Sequence, residues 1–283
     1  MLLSETGKVI ADTVAQTVNK NQDPSWIMHH VLDAKYINFG PLGNLELPQM
    51  QLFGIDISIT RDIFIIWVVA ALLIVISIIV ARGYKKSLVP KGMGNLFEIL
   101  IEFVRDEIVK PSIGKGYETY MPYMLTLFFF VLFNNLFGLV PVPNLIVPTG
   151  NIAVTASLAI ISFVVIQYSG IKSYGLVNYF KGLVPKGMPS WIVIIIIPLE
   201  ILGLFTKPFA LCIRLFANMI AGHIVIYSLL GLIFIMHTIY VSPVSVGFTL
   251  FIELLEILVA IIQAYIFVML TSLFIGMAKN MEH

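Results

Sequence analysis

The chain contains 283 residues, of which 59% are hydrophobic and 12% are charged, and its mean hydropathy is +0.96. A value this high excludes an ordinary water-soluble domain. With 17 basic and 16 acidic residues the formal charge is +1, so no net field would attract nucleic acid. The single cysteine excludes an internal disulfide and a cysteine-based metal cluster. His29 and His30 have no further ligands spaced to complete a metal site, and we expect neither a metal nor a cofactor.

The charged residues are concentrated in the first part of the chain. Residues 1–120 hold 23 of them, whereas residues 121–278 hold only eight. The first part is therefore predicted to contact water and the remainder to be embedded in lipid, where each remaining charge needs an explanation.

Five apolar blocks predict an all-α polytopic membrane protein. A bilayer core about 30 Å thick requires about 20 apolar residues of helix. The predicted elements are an external N-terminal segment at 1–62, membrane helix 1 at 63–81, a cytoplasmic connection at 82–120, membrane helices 2 and 3 at 122–142 and 152–171, and two long, steeply tilted helices at 191–236 and 244–278.

The connections between these blocks alternate in basic residues. Residues 82–120 contain seven Lys and Arg, 143–151 none, 172–190 three and 237–243 none. By the positive-inside rule this pattern predicts five crossings, with the N-terminus outside and the C-terminus in the cytoplasm.

The cytoplasmic connection is predicted to contain an amphipathic helix. Asn95 followed three residues later by Glu98 predicts its N-terminal cap. Apolar residues then recur at helical spacing against a polar face. Two placements remain open: the helix lies on the membrane surface or against a partner subunit, or it packs on the rest of the protein. The apolar positions are Leu96, Ile99, Leu100, Phe103 and Val104, and the polar ones are Glu102, Arg105 and Asp106.

The fourth block is too long for a perpendicular crossing. Its 46 residues would span about 69 Å as a helix, more than twice the thickness of the bilayer core. A hairpin would need a turn near its centre, but the central sequence LeuCysIleArgLeuPheAlaAsnMetIle contains neither Pro nor Gly. One inclined helix is the better prediction, with Pro198 and Pro208 allowing bends in its first half.

Arg214 lies at the midpoint of this block, too deep to reach the membrane surface. An arginine at mid-membrane costs about 2.5–3.5 kcal/mol on insertion scales and cannot lose its proton, so it needs a carboxylate or water. One candidate is a fixed pair with Glu253 or Glu256, and the other is a partner on another chain. Small residues on its own helical face favour close approach of another helix. This face contains Ala210, Ala217, Asn218 and Ala221.

A second group of polar residues lies on the last two helices. His223 is about 180° around the helix from Arg214. Glu256 and Gln263 share a face of the last helix, with Glu253 one turn before Glu256. A histidine and a carboxylate on adjacent helices suit a proton pathway, although a hydrogen-bonded packing role for the histidine is the alternative.

Residues 207–223, LysProPheAlaLeuCysIleArgLeuPheAlaAsnMetIleAlaGlyHis, resemble subunit a of the F-type ATP synthase membrane sector. The likeness includes GlnAlaTyrIlePheValMetLeu at 263–270, AsnLeuPheGlyLeuValPro at 135–141 and ProLeuGlu at 198–200, and it covers about residues 50–280. It implies a proton-conducting stator with two offset half-channels, which pass protons to and from the c-ring carboxylates and couple this flow to rotation. The implied partners are the c-subunit ring, the peripheral-stalk b subunits, the lipid bilayer and, indirectly, the F1 sector. The implied location is the bacterial inner membrane.

The resemblance also implies roles for individual residues. Arg214 would attract the ionised ring carboxylate and separate the half-channels, and Asn218 and Gln263 would line the contact with the ring. His223 and Glu256 match a coupled pair in the outer half-channel, with acid and histidine exchanged relative to many bacterial relatives. Glu200 and Lys207 match polar positions of the same long helix.

Two positions depart from the pattern of some relatives. Gly138 stands where some have an acidic residue, and Asn151 stands where some have an aspartate. Asn151 cannot deliver protons as an aspartate could. We therefore expect the outer inlet to depend more on Glu253, Glu256 and His223.

A secondary cation or proton transporter is the alternative function. The hexapeptide LeuValProLysGlyMet occurs at 88–93 and 183–188, but no similarity extends beyond it, which is little support for a repeat-built transporter. No phosphate-binding loop and no common hydrolase motif is present in the sequence, so we expect a non-enzymatic subunit.

Overall fold

The structure, a computed structural model, describes residues 36–38, 44–46, 48, 51, 52, 55, 56, 58, 60–86, 92–139, 148–182, 190–236, 240 and 242–280. Both copies of the hexapeptide lie largely outside these residues. Four short strands form two antiparallel hairpins that the sequence did not predict. In these hairpins β1 (Tyr36–Asn38) pairs with β2 (Asn44–Glu46), and β3 (Gln51–Leu52) pairs with β4 (Ile55–Asp56).

The rest of the described chain is helical. The helices are α1 (Arg61–Lys86), α2 (Met93–Phe103), α3 (Lys110–Ile113), α4 (Met121–Gly138), α5 (Ile152–Tyr174), α6 (Leu176–Gly182), α7 (Ser190–Met236) and α8 (Ser242–Lys279). A π-helical segment, Val104–Val109, joins α2 to α3, and short 3₁₀ turns at Tyr117–Thr119 and Pro148–Gly150 precede α4 and α5. Within the described ranges, α1, α4, α5, α7 and α8 are long and apolar enough to cross a membrane. The predicted all-α polytopic class is thus confirmed.

The two long helices are continuous. Helix α7 has 47 residues and contains Pro198 and Pro208 without interruption, and α8 has 38 residues. At 1.5 Å per residue they are about 70 Å and about 57 Å long. The fourth apolar block is therefore one helix and not a hairpin.

Helix α8 buries mainly small and polar side chains and exposes mainly large apolar ones. Its exposed face is formed by leucine, isoleucine and other large apolar residues, among them Leu254, Leu258 and Ile262. This distribution is the reverse of that in a soluble domain and suits a helix whose outer face contacts lipid or another apolar surface. Its buried residues are Ser245, Thr249, Glu256, Ala260, Gln263, Ala264, Phe267, Val268, Thr271, Ser272, Ile275, Gly276 and Ala278.

The membrane helices pack around α8, which contacts α4, α5 and α7. Phe128, Val131, Leu215 and Phe267 belong to the apolar core of this bundle. Hydrogen bonds also join α4 and its preceding turn to α5. The Tyr120 hydroxyl lies 2.6 Å from Ser169 Oγ, and the Tyr123 hydroxyl lies 3.0 Å from Ser162 Oγ. These pairs satisfy polar groups that lipid could not.

The amphipathic helix α2 has apolar residues on two sides: one side packs on the helical bundle, and the other is exposed. Phe97 is buried and stacks on Phe129 of α4, with ring centroids 5.0 Å apart. Leu96, Ile99 and Phe103 are exposed on the other side. Helix α2 therefore packs on the bundle and also presents an apolar surface outward.

The predicted cap at Asn95 is wrong, because α2 begins two residues earlier, at Met93. Gly92 precedes it with φ 60°, and no side chain caps the helix. The backbone N–H groups of Asn95 and Leu96 both donate to the Gly92 carbonyl oxygen. A glycine adopts this left-handed conformation without the cost of a Cβ, so the chain can turn into the helix before Asn95.

The C-terminal end of α8 lies beside the segment that follows α3. Lys279 Nζ donates to the carbonyl oxygen of Lys115. Asn280 Nδ2 donates to the Ile113 carbonyl oxygen over 3.4 Å. The connection after α2 and the end of α8 thus lie at the same end of the bundle, and the starts of α1, α5 and α8 lie at the other.

Candidate functional site

Arg214 lies near the middle of α7 with its side chain exposed. Within the described part of the chain it has neither a hydrogen bond nor an ion pair, so the fixed pair with Glu253 or Glu256 is not formed. The neighbouring Ala210 and Ala221 are also exposed. The surface around the guanidinium is therefore open and formed by small side chains.

Asn218 connects this surface to α8. It lies one turn after Arg214, and its Nδ2 donates to Gln263 Oε1 over 2.9 Å. Gln263 is buried, with 1% of its surface exposed. The hydrogen bond fixes the position of α7 relative to α8 beside the arginine. The two polar residues predicted to line one contact surface therefore lie together.

His223 and Glu256 form a second site on the far side of α7. The His223 Nδ1 atom lies 3.8 Å from Glu256 Oε1, and their side chains are 14% and 11% exposed. Among the described residues neither carboxylate oxygen has a hydrogen-bond partner. The imidazole lies beside the carbonyl oxygens of Gly138 and Met219. Glu253, one turn before Glu256, is half-buried.

Gly222 makes this approach possible. A Cβ atom at position 222 would overlap Glu256 Oε1, and the overlap would extend to the carboxyl carbon. Glycine therefore leaves the space that the buried carboxylate occupies. Without that space, Glu256 could not lie this close to the α7 backbone beside His223.

A buried polar group, which we call the Asp62 cluster, lies at the end of the bundle where α1, α5 and α8 begin. It contains Arg61, Asp62, Asn151 and Tyr227. Asp62 and Arg61 are only 1% and 5% exposed. Asn151 Nδ2 donates to Asp62 Oδ2 over 2.8 Å and so joins α5 to α1.

Tyr227 connects the Asp62 cluster with the His223 site. It lies one helical turn after His223, and the two ring centroids are 6.3 Å apart. The Tyr227 hydroxyl also lies within electrostatic range of both Arg61 and Glu256. Tyr227 is therefore a polar residue that lies between the start of α1 and the buried carboxylate.

A cavity of about 240 Å³ lies near the other end of α7 and is bounded partly by Glu200 and Lys207. Gln167 and Tyr179 also line it, and the Tyr179 hydroxyl donates to Gln167 Oε1 over 2.8 Å. Lys207 Nζ lies 5.1 Å from the ring centroid of Phe274 on α8, a cation–π distance. Glu200 and Lys207 thus share a cavity of mixed polar and apolar lining at the end of the bundle where α8 ends.

The sequence that forms this arrangement is similar to the sequences of known proteins. The sequence model described as the ATP synthase A chain matches residues 63–276. The chain belongs to this family. ATP synthase subunit a of Chloroherpeton thalassium is 52% identical over 259 residues, which cover 90% of this chain and 77% of that protein. Subunit a 2 of Chlorobaculum tepidum is 48% identical over 89% of this chain and 72% of its own length. Subunit a of Myxococcus xanthus is 48% identical over 84% of this chain and 78% of its own length.

Membership of the A chain family makes this protein a membrane subunit of an ATP synthase. Its five membrane-capable helices agree with an integral membrane protein. The family match extends from the third residue of α1 almost to the end of α8, so it includes both long helices and the residues around Arg214.

Several polar residues of these sites were not predicted from the sequence. Asp62 was overlooked because an acidic residue in the first turn of a helix has an ordinary explanation in the helix dipole. Gln167 was missed because it belongs to a different helix from Glu200. Tyr227 could have been found, because it lies four residues after His223 and therefore on the same helical face.

Proposed function

We propose that this protein is the proton-conducting stator of its ATP synthase and that Arg214 contacts the carboxylates of a rotating c-subunit ring. The exposed, unpaired position of Arg214 in the described structure is the observation that carries the proposal. A guanidinium that stays charged at mid-membrane requires a carboxylate or water. The small residues around it leave room for a helix of the ring to approach.

The two polar sites would serve as the two half-channels. His223 and Glu256 belong to one, and the cavity beside Glu200 belongs to the other. Along α7 the Glu200 and His223 positions are about 35 Å apart, at 1.5 Å per residue. Arg214 lies between them, where its fixed positive charge would oppose direct passage of protons and require them to travel on the ring.

The orientation follows from the distribution of basic residues. The connection at 82–120 and the end of α8 would face the cytoplasm of a bacterial cell, and the Asp62 cluster would face outward. The half-channel with Glu256 is then the outer one. ATP chemistry would belong to other subunits, and the peripheral-stalk b subunits and the F1 sector would be the remaining partners. Family membership favours this function over a secondary transporter.

Replacing Arg214 by Ala tests the proposal. We expect the variant complex to retain the ring but to lose ATP-driven proton pumping and proton-driven ATP synthesis, because nothing would attract the ring carboxylate. Pumping is measured by acidification of membrane vesicles, and assembly by co-purification of the ring. Arg82→Ala is the matched control, since Arg82 is an exposed arginine near the end of α1.

Arg214→Lys sharpens this test. We expect this variant also to pump poorly, because an ammonium group loses its proton when it is desolvated and lacks the planar fork of arginine. Near-parental pumping by Arg214→Ala, with the ring bound, would contradict the role of the residue.

A further inference from the structure

Asp62 is a buried carboxylate that the proposed pathway does not yet use. Only 1% of its surface is exposed, and Arg61 beside it in sequence is 5% exposed. Burial of an ionised carboxylate is costly unless hydrogen bonds and nearby positive charge compensate for the lost water. The Asp62 cluster provides a hydrogen bond, since Asn151 Nδ2 donates to Asp62 Oδ2 over 2.8 Å, and it also contains the buried cation Arg61.

The side chain of Asn151 makes two hydrogen bonds, one of them to the Asp62 carboxylate on α1. Its Oδ1 accepts from the Ala153 backbone N–H over 2.9 Å and caps α5, while its Nδ2 donates to Asp62. An aspartate at 151 could cap the helix but could not donate to a second carboxylate.

Polar groups lead from Asp62 toward Glu256. Tyr227 is within electrostatic range of both Arg61 and Glu256, and its ring contacts His223. On α8, Thr249 is buried on the same stripe as Glu256, and its hydroxyl has no hydrogen-bond partner among the described residues. Hydroxyl groups both donate and accept hydrogen bonds, so they can pass protons without being ionised.

We propose that Asp62 is the proton-loading carboxylate at the entrance of the half-channel that contains Tyr227, His223 and Glu256. This inference rests on the proposed proton-conducting function. Asp62 takes up one proton that arrives from the outer side of the membrane and becomes a neutral acid. It then releases the proton toward His223 and Glu256, which restores the carboxylate, and no electrons are transferred.

Asp62→Asn tests this role in the whole complex. The amide oxygen can still accept the hydrogen bond from Asn151, but the side chain can no longer carry a proton. We expect passive proton flux through vesicles stripped of the catalytic sector to fall about a hundredfold, the lower end of the range for a lost proton-transfer group. ATP-driven pumping in intact vesicles should fall by a similar factor. Asp106→Asn is the control, because Asp106 is exposed and pairs with Arg105 over 2.7 Å on the other side of the bundle.

The exchange variant Asp62→Asn/Asn151→Asp separates proton loading from a structural role. It keeps one carboxylate, one amide and the hydrogen bond between them, and the carboxylate now at position 151 can still cap α5. We expect it to recover most of the parental proton flux.

Three results would overturn the inference. They are parental flux in Asp62→Asn, an assembled exchange variant that conducts no better than Asp62→Asn, and loss of the ring from both variants, which would show that the pair serves the fold. The Arg214→Ala variant keeps this test separate from that of the proposed function. If it fails to pump while Asp62→Asn conducts normally, only the role of Asp62 is wrong.

Discussion

The Glu256 carboxylate is buried, and no described residue donates a hydrogen bond to it. An unsatisfied buried carboxylate lowers stability, so its presence needs a functional reason. Its distance of 3.8 Å from His223 Nδ1 is longer than a direct hydrogen bond, so a small movement of either side chain would form one. Under the proposed function, this pair would transfer a proton without being held in a fixed hydrogen bond.

Glu256→Gln keeps the size of the side chain and removes its capacity to carry a proton. We expect proton-driven ATP synthesis to fall about a hundredfold, the lower end of the range for a lost proton-transfer group. The measurement is the synthesis rate in vesicles under an imposed pH gradient, with ring content determined in parallel. Full retained synthesis would contradict the role of Glu256.

Gly222 offers a steric test of the same site. In Gly222→Ala the new methyl group would overlap Glu256 Oε1, so the carboxylate must move away from His223. We expect proton pumping to decline with the ring still bound. Gly203→Ala is the matched control on the same helix, because no atom lies within 4 Å of a Cβ built there. Equal pumping by the two variants would show that the position of Glu256 is not critical.

At the scale of single elements, hydrophobic length predicted the five membrane helices because each must satisfy its own backbone in lipid. The start of α2 was not predicted correctly, because it depends on the left-handed conformation of Gly92 rather than on a side-chain cap. The two N-terminal hairpins were missed as well. Strands of two or three residues are too short to show an alternating pattern.

Close packing of α8 against α3 can be tested at Gly276. A Cβ atom there would overlap the Ser112 backbone carbonyl, which cannot move aside as a side chain could. We expect Gly276→Ala to destabilise the protein by about 1–3 kcal/mol, the usual cost of overpacking. Gly247→Ala on the same helix has open space around it and is the control.

For the Gly276→Ala variant and its Gly247→Ala control, the measurements are the thermal midpoint of the purified complex and the amount of this protein in the membrane. We expect both to fall for Gly276→Ala and to stay at the parental level for Gly247→Ala. Equal midpoints for the two variants would mean that α3 moves away without cost.

For the whole molecule, residues whose placement in lipid costs much free energy could be predicted from the sequence. Residues whose role depends on helix packing could not. Arg214 could be selected from the sequence because a charge at mid-membrane is expensive wherever the other helices lie. The contact between Asp62 and Asn151 joins residues 89 positions apart, so no local pattern reveals it. The same holds for Gln167, which reaches the Glu200 cavity from another helix.

The hydrogen bond from Lys279 to the Lys115 carbonyl joins residues 164 positions apart. During synthesis, the turn after α3 leaves the ribosome long before its partner at the end of α8 exists. This end of the bundle can therefore close only when translation is nearly complete, and the same is true of the contact between Asn218 and Gln263. Until then, the c-subunit ring of the proposed function would contact α7 before α8 had packed beside it. The order of synthesis thus places the finished surface around the arginine among the last features of the chain to form.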